Sequence, residues 1–327
     1  MRNPVTLTVF GFAMLGMFLQ ISYCDEPIQL KGHEREIYCV SYSADGKTIA
    51  SSSNDRTIRV WNGMEATSVI RLGYAPSKAV SLSPDGAIVA GRFETGCALW
   101  ESKTGNLISK ISTSSSEDGP VQRIQFSRDG KHFAAGHERG IVRIWNVAEK
   151  KVAIECRAPF SYNPASMVQC LAYHPNQDLL AVGFDHGLVL YSSLDGSRKE
   201  ILSDNSTQSV AFTPDGNLLI ANQRRGVGIV SIWNSATWQV LFRADQQTQD
   251  TYLGQLAPID NSMALGVNYD GDLERFDLKK LQRTKKAFGT PYKLAPGGFV
   301  ISPTMDTFTH YFGGNIYTLY VQAIPKD

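Results

Sequence analysis

GHEREIYCVSYSADGKTIASSSNDRTIRVWN, residues 32–62, decides how the rest of the chain is read. It opens on the pair Gly32-His33. An alternating apolar run follows, ending in Ala44-Asp45-Gly46, with Val40 and Tyr42 two residues apart and so on one face of a strand. Asp-Gly is a hairpin turn signal. A second strand then passes through Ile49-Ala50, a tight turn falls at Asn54-Asp55, and a third strand ends in Trp61. Alternation of period two, punctuated by turns, predicts β structure and leaves no segment of helical period within the stretch.

Outward from it, the Asp-Gly turn recurs at Gly86, Gly130 and Gly216. The gap before Gly216 is double the others, and His174-Pro175-Asn176-Gln177 stands where the missing turn is due. Asp260-Asn261 and Pro296-Gly297-Gly298 continue the series, which makes seven units. The strand before each turn keeps register. One column reads Val40, Val80, Ile124, Leu171 and Val210, and the next reads Tyr42, Leu82, Phe126, Tyr173 and Phe212. A one-residue slip would turn both columns outward, so they mark a packed face. A closing column of rings reads Trp61, Trp100, Trp145, Tyr191, Trp233 and Phe276, each after an apolar strand. Rings of this size at the end of a strand are core packing.

With these features the stretch resembles a WD40 repeat, with Trp61-Asn62 in place of the usual closing Trp-Asp, and the remaining units resemble degraded copies. The resemblance implies an all-β protein, a WD40-type β-propeller of seven blades, each of four antiparallel strands, over residues 25–327. It also implies a hydrogen-bond network in the first unit: His33 bridging Asp55 and a strand-two serine, Ser51 or Ser53, with the Trp61 indole completing it. Other units lack the histidine; Gly73-Tyr74 replaces it in the second. The family usually closes its ring with the strand before the first Gly-His, here Pro27–Leu30. The tail offers a rival closure, with strands at Phe299–Ile301, Phe308–Phe312 and Ile316–Val321, a Gly313-Gly314-Asn315 turn, and a further strand near Tyr292–Leu294. N-terminal closure is expected.

Residues 1–24 stand apart. Arg2 precedes an apolar run from Val5 to Leu19, and acidic residues begin at Asp25-Glu26, which is the pattern of a secretory signal peptide cleaved before Asp25. An uncleaved N-terminal membrane anchor and, through Cys24, a lipoprotein signal are the alternatives. Each takes the protein out of the cytosol: periplasmic, extracellular or tethered facing outward. Net charge is +1, so no global field points to nucleic acid, and none is expected as a partner. Charged residues make up 19% of the chain, too few for a largely disordered one. Of five cysteines, Cys39 and Cys170 sit at equivalent places in units one and four; no spacing suggests a metal site or disulfide framework, so buried free thiols are expected.

The chain shows no phosphate-binding loop, dinucleotide fingerprint or paired-histidine zinc motif. No catalytic, cofactor or metal residues are assigned. The His33–Asp55–Ser composition has the members of a hydrolytic triad, but no strained nucleophile turn surrounds the serines. The expected function is a non-catalytic protein–protein interaction scaffold. Its candidate partner face consists of the turns between second and third strands, carrying Arg56, Arg139 in His137-Glu138-Arg139, His186, Arg224, Arg225 and Tyr269. A basic run, Lys279, Lys280, Arg283, Lys285 and Lys286, suits weak contact with a membrane surface or an acidic partner. Asn268–Asp272 alternates oxygen ligands in the manner of a calcium loop but lacks the distal Glu. Asn205-Ser206-Thr207 is a glycosylation sequon. The alternative function is an extracytoplasmic propeller enzyme or small-ligand or metal binder using the mouth of the central channel. The strand-one positions Glu36, Lys78 and Gln122 do not form such a site.

Overall fold

The runs of period two become strands, and those in the middle of a sheet, such as Thr48–Ser53 and Gly187–Ser192, are buried along almost their whole length. The computed structural model describes residues 28–73, 75–94, 96–111, 118–160, 166–225, 227–245, 256–267, 273–288, 299–304, 307–310 and 318–324. Among these residues all helix or strand structure is strand, and no helix is long and apolar enough to cross a membrane. Residues 1–24, with the signal-peptide expectation, lie outside the described residues.

A short strand β1 (Ile28–Lys31) precedes the first unit, β2 (Ile37–Tyr42), β3 (Thr48–Ser53), β4 (Thr57–Asn62) and β5 (Glu65–Arg71). The second is β6 (Val80–Leu82), β7 (Ile88–Phe93), β8 (Gly96–Glu101) and β9 (Leu107–Ile111). The third is β10 (Val121–Phe126), β11 (His132–His137), β12 (Ile141–Asn146) and β13 (Lys151–Arg157). The fourth is β14 (Val168–Tyr173), β15 (Leu179–Phe184), β16 (Gly187–Ser192) and β17 (Arg198–Ser203). The fifth is β18 (Ser206–Phe212), β19 (Leu218–Arg225), β20 (Val227–Asn234) and β21 (Val240–Asp245). The sixth is β22 (Leu256–Pro258), β23 (Met263–Val267), β24 (Leu273–Asp277) and β25 (Gln282–Phe288), and the chain ends in β26 (Phe299–Ile301), β27 (Thr307–His310) and β28 (Thr318–Ala323).

Among the described residues these strands form seven four-stranded antiparallel sheets. Six are meanders of consecutive strands, and the seventh has the order β1-β28-β27-β26. First strands touch first strands around the molecule, β2 to β6, β6 to β10, and on through β14, β18, β22 and β26, and β1 meets β5. The sheets thus stand as blades round a ring whose axis the first strands line. The register columns fill the space between blades. Val40, Val80, Ile124 and Leu171 are buried, and the closing rings from Trp61 to Phe276 are all at most 6% exposed. Cys39 and Cys170 are equivalent in three dimensions as well: each thiol donates to a carbonyl on the next blade's first strand, Val80 at 3.6 Å and Thr207 at 3.5 Å. Cys39, Cys97, Cys156 and Cys170 are free thiols, and burial pushes the last three up to about 12, so they stay protonated.

The recurring Asp-Gly turns join into a belt round one face. Within a turn, a Ser or Thr hydroxyl donates to the Asp two residues on: Ser43 to Asp45 at 2.6 Å, Ser83 to Asp85 at 2.5 Å, Ser127 to Asp129 and Thr213 to Asp215 at 2.6 Å. Those serine hydroxyls hold the Asp45 and Asp85 carboxyls below their usual range. Between turns, the Ala44 amide donates to the Pro84 carbonyl, Arg128 to that of Pro175, Asn176 to that of Asp215, and the Asp215 amide to Asn261. In the fourth blade, which lacks the Asp-Gly pair, His174 takes over: its Nδ1 accepts from the Asn176 amide at 3.0 Å and its Nε2 donates to the Gly216 carbonyl at 3.0 Å. Gly46 (φ 70°) lies so close to Ser302 and Thr304 of the last blade that a Cβ would collide with their hydroxyls.

Closure pairs the first described strand with the last. β1 pairs with β28 in the register Ile28↔Val321 to Lys31↔Thr318, and Leu30 is buried against Ile37, Val40 and Trp61. The last blade's inner strand is β26, so its first turn begins at Ser302, after the Pro296-Gly297-Gly298 marker, which with Tyr292–Leu294 and Gly313-Gly314-Asn315 lies outside the described residues. The sequon fails for a physical reason: Asn205 is 6% exposed and Thr207 is fully buried, holding the Asn205 carbonyl through its hydroxyl. No oligosaccharide fits on Asn205 in the folded chain.

Candidate functional site

The first blade brings four of the expected residues into one chain of hydrogen bonds. β3 and β4 lie side by side with Ile49 opposite Trp61 and Ser51 opposite Arg59. Ser51 is fully buried there. His33 Nδ1 donates to Asp55 Oδ2 at 2.8 Å. Its Nε2 accepts from the Ser51 hydroxyl at 2.7 Å, and Ser51 Oγ accepts from the Trp61 indole at 2.8 Å. Asp55 also receives the Thr57 hydroxyl at 2.6 Å and amide at 2.8 Å, and the Glu34 amide at 3.1 Å. Burial opposes ionisation of Asp55, yet His33, Thr57 and the amides outweigh it and hold the carboxyl well below the usual carboxylate range. Ser53 is outside the relay: its hydroxyl donates to the Arg35 carbonyl and accepts from the Asp55 amide, which shapes the turn.

The order Asp–His–Ser matches a hydrolytic triad, but the chemistry differs. A nucleophile needs an exposed oxygen beside oxyanion donors. Ser51 Oγ is buried, and its acceptor capacity is used by an indole, so the relay fixes Trp61 against the core and offers no attacking atom. Among the described residues no three His, Cys, Asp or Glu side chains gather as a metal-binding group.

The second–third turns lie at the opposite ends of the strands from the Asp-Gly belt. Arg56, Arg139 and His186 are exposed there, and Arg224 is exposed at the same end of its blade. Arg56 adopts φ 65°, an unusual conformation for a long side chain. Two assignments change. Arg224 and Arg225 belong to β19, with Arg224 opposite Gly228 and Arg225 opposite Val227, because the hairpin is tighter than the sequence suggested. His137, expected in a turn with Glu138 and Arg139, ends β11 and is fully buried; Nδ1 donates to the Gly119 carbonyl and burial lowers its pKa. Tyr269 and the whole of Asn268–Asp272 lie outside the described residues. In the basic run, Asp277 accepts from the amides of Lys279 and Lys280, and Arg283 pairs with Glu274 at 3.4 Å.

Sequence reading missed a charged cluster in the third blade. Arg143 binds the buried Asp118 through Nη1 and Glu155 Oε2 through Nε at 3.0 Å, and Arg157 reaches Glu155 at 2.6 Å. Arg143 and Glu155 stand opposite each other on β12 and β13. The only signal in the sequence was the Arg before each closing ring pattern, at Arg59 and Arg143, which alternation alone reads as solvated.

A ring of four-stranded meanders carrying a buried His–Asp–Ser–Trp relay defines a repeat β-propeller. Residues 25–62 and 105–146 match the family described as WD domain, G-beta repeat, the first of them containing the whole relay. Those two stretches are thus WD repeats, and the chain has the all-β fold of a WD40-type propeller. It is 25% identical over 63% of its length to apoptotic protease-activating factor 1 of Homo sapiens, which it spans over 16%. It is 33% identical over 57% of its length to an intraflagellar transport protein 122 homolog of Danio rerio, spanning 15% of that protein. It is 30% identical over 38% of its length to pre-mRNA-processing factor 19 of Caenorhabditis elegans, spanning 26%.

Proposed function

We propose that the chain is a non-catalytic scaffold for protein partners, exported or membrane-tethered, which presents the face of second–third turns. The observation that carries this reading is the contrast between the two faces. One is tied up in a belt of inter-blade hydrogen bonds, and the other holds exposed Arg56, Arg139, His186 and Arg224. Arginine is among the residues that anchor protein interfaces. The relatives carry names from apoptosis, pre-mRNA processing and intraflagellar transport. Names from such different settings support a shared binding frame more than one shared reaction, while a fold by itself fixes no function. Export rests on the apolar run Val5–Leu19 after Arg2.

The test is affinity purification of the tagged full chain from its own cell envelope after mild cross-linking, with mass spectrometry of the companions and of the N-terminus. A reproducible protein partner is expected, together with an N-terminus at Asp25. A folded sample that retains no partner overturns the scaffold reading and turns attention to the channel mouth. An intact Met1 replaces cleavage by anchoring, and recovery in the cytosolic fraction overturns export.

A further inference from the structure

The flank of the first blade contains a cleft of about 400 Å³. Arg56, Arg59 and Arg71 line it, with Val69, Glu34 and Asp55. Asp55 is committed to His33, Thr57 and the Glu34 amide. Glu34 is exposed. Arg59 Nε is buried and has no hydrogen-bond partner among the described residues. A guanidinium N–H removed from water without an acceptor is unfavourable, so the group calls for one.

The third blade shows what that acceptor is. Arg143 holds the position in β12 that Arg59 holds in β4, two residues before the closing tryptophan. Arg143 Nε donates to Glu155, directly across on β13. In the first blade the residue directly across from Arg59 is Val69. The second acid of the third blade is Asp118, three residues before β10; the same place before β2 is Glu34. Asp118 is buried on Arg143, whereas Glu34 is exposed. The first blade therefore keeps the arginine and lacks the carboxylate opposite it. Arg56 stands where the third blade has Gly140 (φ 76°), so a cation replaces the residue best suited to that backbone.

We propose that this cleft is a carboxylate-binding site, in which an acidic side chain of a protein partner takes the place that Glu155 fills in the third blade. Arg59 supplies the inner contact through the part of its guanidinium that lines the cleft, and Arg56 and Arg71 meet the same acidic segment at the mouth. Val69 leaves room for the incoming carboxyl group. The site rests on the scaffold reading and gives its partner a chemistry: an acidic peptide segment.

The test uses the full chain and a fluorescein-labelled hexaglutamate peptide in polarisation titrations, with hexaglutamine and inorganic phosphate as comparisons. Hexaglutamate is expected to bind and hexaglutamine to fail. Arg59→Met is expected to weaken binding at least tenfold. Val69→Glu, which builds the third blade's pair into the first, is expected to weaken it as much while leaving the melting temperature equal or higher. Glu34→Gln, which removes a competing carboxylate at the rim, is expected to tighten it. Equal binding by the wild type and Val69→Glu overturns the site even where Arg59→Met fails to fold. Displacement of the peptide by equimolar phosphate overturns the carboxylate assignment. Running Val69→Glu through the cross-linked purification separates the two readings: a partner kept by both wild type and variant leaves the scaffold standing and removes this site, whereas no partner on the wild type removes the scaffold whatever the peptide does.

Discussion

The first and third blades share one topology and one register, yet each leaves unsatisfied what the other satisfies. In the first, the Trp61 indole reaches Ser51, and behind Ser51 stand His33 and Asp55. In the third, the residue at the place of Ser51 is Ala135, and the Trp145 indole nitrogen is buried with no partner among the described residues. The arginines reverse the pattern: Arg143 is held by two carboxylates, and Arg59 Nε by none among the described residues. A blade can thus be secured at its ring by a hydrogen-bond relay or at its flank by an ion cluster. The repeat tolerates either because the apolar columns between blades carry most of the packing.

The comparison predicts where each blade breaks. Trp61→Ala removes a ring that is 1% exposed and strands the Ser51–His33 relay, so it should cost about 3–5 kcal/mol, read as a shift of the urea unfolding midpoint. Arg143→Met leaves Asp118 charged and 2% exposed without the Arg143 guanidinium; a loss of about 3 kcal/mol is expected in the same measurement. If Arg143→Met proves neutral, the ion cluster does not secure the third blade and the contrast fails. In the other direction, Ala135→Ser offers the Trp145 indole the acceptor that Trp61 has, and should raise stability by about 1 kcal/mol. A fall instead would mean that the third blade has no room for the hydroxyl.

The relay also sets a pH dependence that the third blade's ring lacks. The Asp55 carboxyl is depressed in the folded protein, so its contribution is complete above the ordinary unfolded value of about 4 and drains away as pH falls through and below it. Thermal melts of wild type and Asp55→Asn between pH 7 and pH 3 should converge towards acid, with the variant less stable at neutral pH and less sensitive to acidification. Parallel curves would show that Asp55 is not the titrating group.

Most of the frame was legible in the sequence because packing between blades needs an apolar face of period two and a turn at a fixed spacing, and both leave marks at Val40, Tyr42, Gly46 and Trp61. The relay could be placed through His33 and Asp55, but the choice of Ser51 over Ser53 could not, since both point to the same side of β3 and only the position of the indole decides. The turn reading of His137 and of Arg224-Arg225 failed where β11 and β19 ran longer than alternation suggested. The Arg143 cluster was illegible because Asp118, Arg143 and Glu155 are far apart in sequence and alternation treats each as an outward residue. The vacancy opposite Arg59 is visible only as a difference between two registers.

The pairing of β1 with β28 imposes an order in time. Of the described strands, Ile28–Lys31 is synthesised before all the others, and its hydrogen-bonding edge lies on Thr318–Ala323, synthesised after them. Each of the first six blades can form as its own four strands emerge, but the seventh must wait for Thr318–Ala323, with Leu30 uncovered until then. A chain stopped before Thr318 would leave β1 without its pairing strand and the ring as an open arc.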